Sequence, residues 1–259
     1  MASEPCIPAE SSVPAYRVEG AGPLLVYIPG LDGTGEMLFK QMPELARSYR
    51  VVSFRLRDNG LFTYEDLADD VAAIIRDIGE RQATILTESF GGGVALTFAL
   101  RYRSMIERLV LVNSFSRYRR RIRIRLAARL ASIIPFRLLW PSRKAADSVG
   151  LLVDDVATED RRRFFEIIRT VVRDGYARRL QLIAELDLDD RLSEIEVPAL
   201  LIATEKDLLV PSIAEARLMA GRMPFATVKI IKGAGHACLL GNQVRLAEIL
   251  NEWSPIGGR

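Results

Sequence analysis

Three side chains suited to nucleophilic catalysis lie far apart in this chain: Ser89, Asp207 and the single histidine, His236. A serine hydroxyl is a weak nucleophile until a base takes its proton, and that base needs a third group to hold its tautomer and stabilise the cation it becomes. Ser89 sits in Ile85-Leu86-Thr87-Glu88-Ser89-Phe90-Gly91-Gly92-Gly93, with Val94 to Leu100 following. The apolar run reads as a buried strand, the glycines as a sharp turn and the small and apolar residues after them as a packed helix. A serine at the tip of such a turn fits the G-x-S-x-G elbow, where strained backbone lifts the hydroxyl above the sheet. Thr87 takes the place of the first glycine, and Gly91 keeps the second. The plainer alternative is an ordinary strand-to-helix turn with a surface serine.

The order serine, acid, histidine is one of the orders in which this chemistry recurs. Asp207 follows the apolar run Val197 to Ala203, and His236 follows the run Thr227 to Ile231 within Lys232-Gly233-Ala234-Gly235-His236. All three residues therefore fall just beyond the carboxyl ends of expected strands, on one rim of a sheet. Taken singly, Asp207 reads equally as a turn or cap residue, with Glu205 its nearest rival as the acid, and His236 as a hydrogen-bonded loop residue. Glu88, next to the nucleophile, is read as structural or as a tuner of the local field. Cys238 is given no catalytic role.

A loop is needed to face the developing oxyanion. Pro29-Gly30-Leu31-Asp32-Gly33-Thr34-Gly35 follows the run Leu24 to Ile28, and its three glycines suggest a close approach of backbone to something. A phosphate cradle is excluded because neither G-x-x-x-x-G-K-[ST] nor G-x-G-x-x-G is present. Pro29 has no N–H, so the expected oxyanion donors are the amides of Leu31 and Phe90.

The elements that must hold these residues alternate. Strands are expected at 15–19, 24–28, 51–54, 83–86, 106–112, 197–203 and 227–231. Helices are expected at 36–47, from a Thr63/Asp66 capping box onward, after the elbow, at 212–220 and at 242–253. Such alternation implies a mostly parallel sheet with ligands at the carboxyl strand ends. Residues 116–192 break the rhythm with helical segments only, and are expected to form a helical cap inserted into a core of 1–115 and 193–259. Leu126, Leu130, Ile133, Ile134, Phe136, Leu138, Leu139 and Trp140 are available to line a pocket beneath it, or to form the cap's own core.

With 259 residues, 49% of them hydrophobic and 27% charged, the chain has the makeup of one globular α/β domain. No apolar run reaches the roughly 20 residues that span a bilayer. Residues 1–13 lack the apolar core of a secretory signal. Two cysteines and one histidine match no metal-ligand spacing and no disulfide framework, so no metal and no cofactor are expected, in a reducing, cytoplasmic setting. The net charge of +3 conceals a stretch from Arg117 to Ala146 without any Asp or Glu. Its segment Arg117 to Arg129 is either a solvated helix face or a contact for anionic lipid or an acidic carrier; nucleic acid is not the expected partner.

The elbow T-E-S-F-G-G, the loop P-G-L-D-G-T-G, the acid loop A-T-E-K-D-L-L-V-P-S and the segment G-A-G-H-A-C-L-L together resemble the α/β-hydrolase superfamily, and more narrowly its esterase, lipase and thioesterase branch. That branch includes the hydrolase portion of plastid phytyl ester synthases, to which P-G-x-D-G and E-S-F-G-G are similar. The resemblance covers roughly residues 20–113 and 195–254 and implies acyl-ester chemistry through an acyl-enzyme on Ser89, with His236 as base and Asp207 as its partner. Three departures stand out. Thr87 is expected to crowd the elbow, Pro29 stands where many relatives have His, and no counterpart of the plant synthases' acyltransferase portion follows. Hydrolysis, or acyl transfer by the triad alone, is therefore expected over dedicated synthesis. The same scaffold also hosts C-C hydrolases, lactonases, perhydrolases and non-catalytic ligand receptors.

Overall fold

The computed structural model describes residues 13–119, 121–133 and 156–253. A seven-stranded sheet runs in the order β1-β3-β2-β4-β5-β6-β7. Its strands are β1 (Tyr16–Glu19), β2 (Leu24–Ile28), β3 (Arg50–Phe54), β4 (Ala83–Glu88), β5 (Ile106–Val112), β6 (Ala199–Thr204) and β7 (Ala226–Ile231). Only β1 is antiparallel, pairing with β3 at the edge, whereas β2 lies parallel to both β3 and β4, and β4, β5, β6 and β7 follow in parallel.

The continuous apolar strands explain why the sheet is covered on both faces. Successive side chains of a strand point to opposite sides, and in β2 Val26 and Ile28 join one core cluster while Leu25 and Tyr27 join another. The first cluster is completed by α2 (Tyr64–Asp77) and α3 (Gly91–Arg101), and the second by α1 (Met42–Leu45) and α8 (Leu246–Glu252). A strand buried on both faces has no polar side to alternate with, hence its unbroken hydrophobic run. The expected capping box starts α2: the Thr63 hydroxyl accepts the Asp66 N–H at 3.2 Å, and the Asp66 carboxylate accepts the Thr63 N–H at 2.8 Å.

Between β5 and β6 lie α4 (Arg121–Ile133), α5 (Thr158–Ile168) and α6 (Arg173–Glu185); α7 (Ser212–Ala220) follows β6. Several expected boundaries change. The helix expected at 36–47 shrinks to α1, with Pro43 in its first turn, and turns replace the rest. The last helix starts at Leu246, because residues 238–240 form a 3₁₀ turn and the chain reaches the helix through further turns. Arg117 pairs as an isolated β-bridge with Asp187 before α4 begins. Among the described residues no helix is long and apolar enough to cross a membrane.

Candidate active site

The nucleophile candidate owes its position to backbone strain. Ser89 has φ +51°, a left-handed conformation unusual for a residue with a side chain. Its N–H is tied to the Val112 carbonyl of β5 at 2.9 Å, and its carbonyl accepts the Gly92 N–H at 3.0 Å. This turn admits no side chain at 91: a Cβ there would stand 2.1 Å from the Thr87 hydroxyl and 2.7 Å from the Pro29 carbonyl. Thr87 does not crowd the elbow as expected. It is fully buried, its hydroxyl donates to the Ile28 carbonyl at 3.0 Å, and the missing side chain of Gly91 leaves the space it fills.

Ser89 Oγ lies 2.9 Å from His236 Nε2, and His236 Nδ1 lies 2.8 Å from Asp207 Oδ2. The other Asp207 oxygen accepts the N–H groups of Leu209 and Val210, both at 3.0 Å. Glu205, the rival acid, points elsewhere: its carboxylate accepts the Gly233 N–H at 3.0 Å. Burial acts to lower the pKa of His236, but the charge and hydrogen bond of Asp207, with the charge of Glu88, outweigh it and raise the value. With Nδ1 as donor to the carboxylate, Nε2 is left to accept the serine proton.

The two expected oxyanion donors flank this line. Leu31 and Ser89 both border the cavity, and Phe90 begins the elbow helix. Among the described residues no acceptor takes the N–H of either Leu31 or Phe90, although Phe90 is fully buried. Buried amides without partners are rare in folded proteins. In the turn before Asp32 the Gly30 carbonyl accepts the Gly33 N–H at 3.0 Å, so the Leu31 N–H, trans to that carbonyl, faces away from the turn.

The serine and histidine open onto a cavity of about 330 Å³, within the range of small-molecule sites. Its walls are mostly apolar: Met37, Phe115, Phe164, Ile168, Leu209 and Leu240, with Tyr176, Leu180 and Ile183 from α6. Helix α4 contributes Ile124 and Ala127. Leu126 and Leu130, expected either to line this pocket or to form the cap's own core, do neither and are 57% and 42% exposed; α4 packs on α6 and buries Ala128 and Ala131, turning those leucines outward. The side chain of Ile133, and residues Ile134 to Trp140, lie outside the described residues. Of the Arg-rich segment, Arg117 pairs with Asp187 and Arg119 with Asp189 and Glu215.

Three further residues shape the site. Glu88 borders the cavity and accepts a hydrogen bond from Tyr27. Burial lifts its carboxyl to about 7, aided by the charge of Asp32 and opposed by Tyr27 and His236. Asn113, at the end of β5 with φ +46°, donates to the carbonyls of Gly235 (3.3 Å) and His236 (2.8 Å) and accepts from the N–H and hydroxyl of Thr204. It thereby ties the histidine loop to the end of β5, whose Val112 carbonyl holds the Ser89 N–H, and to the end of β6, just before Asp207. Arg179 is the third, and its contacts reach the loop of Leu31. Adjacency to Ser89 pointed to Glu88 in the sequence; an asparagine ending a strand is a weak signal for Asn113, and nothing local marks Arg179.

A parallel sheet with a serine elbow, and an acid and a histidine on the same rim, defines the hydrolase class of α/β fold. The chain belongs to the alpha/beta hydrolase family, whose model matches residues 25–249. It is 27% identical to a candidate carbamate hydrolase, RutD, of Caulobacter sp. (strain K31), over 80% of this chain and 81% of that one. It is 25% identical to phytyl ester synthase 1, chloroplastic, of Arabidopsis thaliana, the match taking 93% of this chain and 38% of the plant protein. Among solved structures, a hydrolase from Pseudomonas aeruginosa PA01 superposes with a TM-score of 0.76 at 26% identity, over 86% of each chain. An esterase from Exiguobacterium antarcticum shares the fold with a TM-score of 0.81 at 19% identity, over 91% of this chain and 93% of that one.

Proposed function

We propose that the protein is a serine hydrolase that cleaves carboxylic esters or thioesters with an apolar acyl chain through an acyl-enzyme. The observation that carries this reading is the continuous hydrogen-bonded line from Ser89 through His236 to Asp207 at the edge of an apolar cavity. Ser89 Oγ attacks the acyl carbon as His236 Nε2 takes its proton, and Asp207 stabilises the imidazolium. The amides of Leu31 and Phe90 hold the oxyanion, each worth about 3 kcal/mol in the transition state. Collapse breaks the bond to the alcohol or thiol, which leaves with the proton from His236. Water then attacks the acyl-enzyme by the same route in reverse, or an alcohol does so and acyl transfer results.

In this reading residues 116–192 act as the cap, with α4 and α6 closing the acyl pocket, and the low cysteine content supports a reducing, cytoplasmic setting. No metal and no cofactor enter the chemistry. The decisive test is hydrolysis of p-nitrophenyl esters of graded chain length beside thioester, lactone and carbamate panels, with Ser89→Ala as control. Medium or long acyl chains are expected to be preferred. Turnover of carbamates alone would replace this reading with the chemistry named for the RutD relatives, and undiminished activity in Ser89→Ala would remove it.

A peripheral contact is a second proposal. Exposed Ile122, Leu126 and Leu130 share α4 with Arg125 and Arg129, a composition suited to anionic lipid or an acidic carrier. Co-sedimentation with anionic vesicles that salt does not weaken, or no co-sedimentation at all, would count against the lipid contact.

A further inference from the structure

Arg179 has a relative exposure of 0%, an unusual place for a residue whose charge is costly to remove from water. Burial holds its pKa down despite the opposing charges of Asp58 and Asp32. Its guanidinium is nonetheless surrounded by acceptors. Nε donates to the Leu31 carbonyl at 2.9 Å, and Nη2 to the Asp32 carbonyl at 3.1 Å. Nη1 donates to the Arg57 carbonyl at 3.0 Å and to Asp58 Oδ1 at 3.2 Å, an oxygen that Nη2 also reaches at 3.3 Å. The backbone on both sides is shaped around it: a Cβ on Gly33, which has φ +70°, would stand 2.5 Å from the guanidinium carbon. One on Gly175 would stand 3.1 Å from Nη1 and 2.4 Å from Asp58.

The loop so gripped carries the Leu31 amide. Three consecutive peptide planes are pinned: the one before Leu31 by the Gly33 N–H on the Gly30 carbonyl, and the next two by Arg179 on the carbonyls of Leu31 and Asp32. A planar fork with several fixed donors can hold two adjacent carbonyls together, which a single ammonium cannot. Arg179 also lies on α6, whose Tyr176, Leu180 and Ile183 wall the cavity.

We propose that Arg179 is a positioning residue for the oxyanion site: it reaches from α6 to lock the loop at residues 30–33 so that the Leu31 N–H is pre-aimed at the oxyanion. The inference rests on the proposed serine-hydrolase reading. A displaced donor costs transition-state binding and leaves ground-state binding of the apolar acyl chain alone. Loss of the clamp is therefore read in kcat rather than KM, and in the grip on an oxyanion.

The test compares Arg179→Met and Arg179→Lys with the wild type, using the preferred p-nitrophenyl ester and a chain-matched alkyl trifluoromethyl ketone. Ser89 Oγ adds to the ketone carbon, its proton passes to His236, and the ketone oxygen becomes the oxyanion. In Arg179→Met, kcat is expected to fall about 100-fold, KM to stay within about threefold, and inhibitor affinity to fall by the same factor as kcat. The acid limb of the kcat/KM pH profile, set by His236, is expected not to move. Arg179→Lys keeps a charge opposite Asp58 and should fall between the two. It carries the same comparison if the Met variant does not fold. Variants that fold and keep kcat and inhibitor affinity within about twofold of wild type overturn the proposal, as does a loss confined to KM. Full activity in Ser89→Ala would instead sink the serine-hydrolase reading itself, whatever Arg179 does.

Discussion

The two sides of the candidate oxyanion site are held by opposite means. On the elbow side the strain is local and the supports are backbone: Ser89 is strained by its own turn, its neighbours Gly91 and Thr87 fit one another, and the chain bonds to the strands on either side. On the Leu31 side the geometry comes from a side chain 148 residues away, so that loop depends on α6 being packed in place. A locally determined turn tolerates change elsewhere in the molecule, whereas a remotely clamped loop transmits it.

The comparison breaks hardest at the nucleophile. Ser89→Ala is expected to lower kcat by roughly 10⁶ with the fold intact, measured by ester hydrolysis and circular dichroism. It should also abolish labelling by a fluorophosphonate. The next largest effect is steric. Gly91→Ala forces a Cβ against Thr87 and Pro29 and should cost about 3 kcal/mol of stability, seen in urea unfolding. Adding Thr87→Gly restores the motif glycine yet leaves the clash with the Pro29 carbonyl, so only partial recovery is expected; full recovery would show that Thr87 alone imposes the constraint.

Glu88 sharpens the comparison through pH. Its folded pKa is raised from 4.5 to about 7, so the folded state binds this proton more tightly than the unfolded chain. The resulting stability is complete below about pH 4.5 and is lost as pH rises through 7, about 3 kcal/mol in all. Glu88→Gln keeps an acceptor for Tyr27 without the charge, and its Tm should decline less than the wild type's between pH 5 and 8. Equal declines would rule out a protonated Glu88. Because ionised Glu88 helps raise the pKa of His236, the same variant should move the acid limb of kcat/KM to lower pH.

The smallest effects separate the two faces of α4. Leu126→Ser, on the outward face, should change stability by less than about 0.5 kcal/mol and leave the chain-length profile unaltered. Ala127→Phe, on the cavity wall, should shift preference toward shorter acyl chains. An identical profile in both would mean that the acyl chain does not enter this cavity.

Sequence alone determined the alternating strands and helices, the serine elbow, and the loops where Asp207 and His236 stand, because each leaves a signal within a few residues: an apolar run, a glycine cluster, a turn. Only the tertiary structure decided that Ser89, His236 and Asp207 meet in hydrogen-bonded line, that Asn113 anchors the histidine loop and that Arg179 grips the loop of Leu31. It also decided which face of α4 walls the cavity. These depend on contacts between segments about 30 to 150 residues apart, and a buried polar residue announces its partner only once the chain has folded around it.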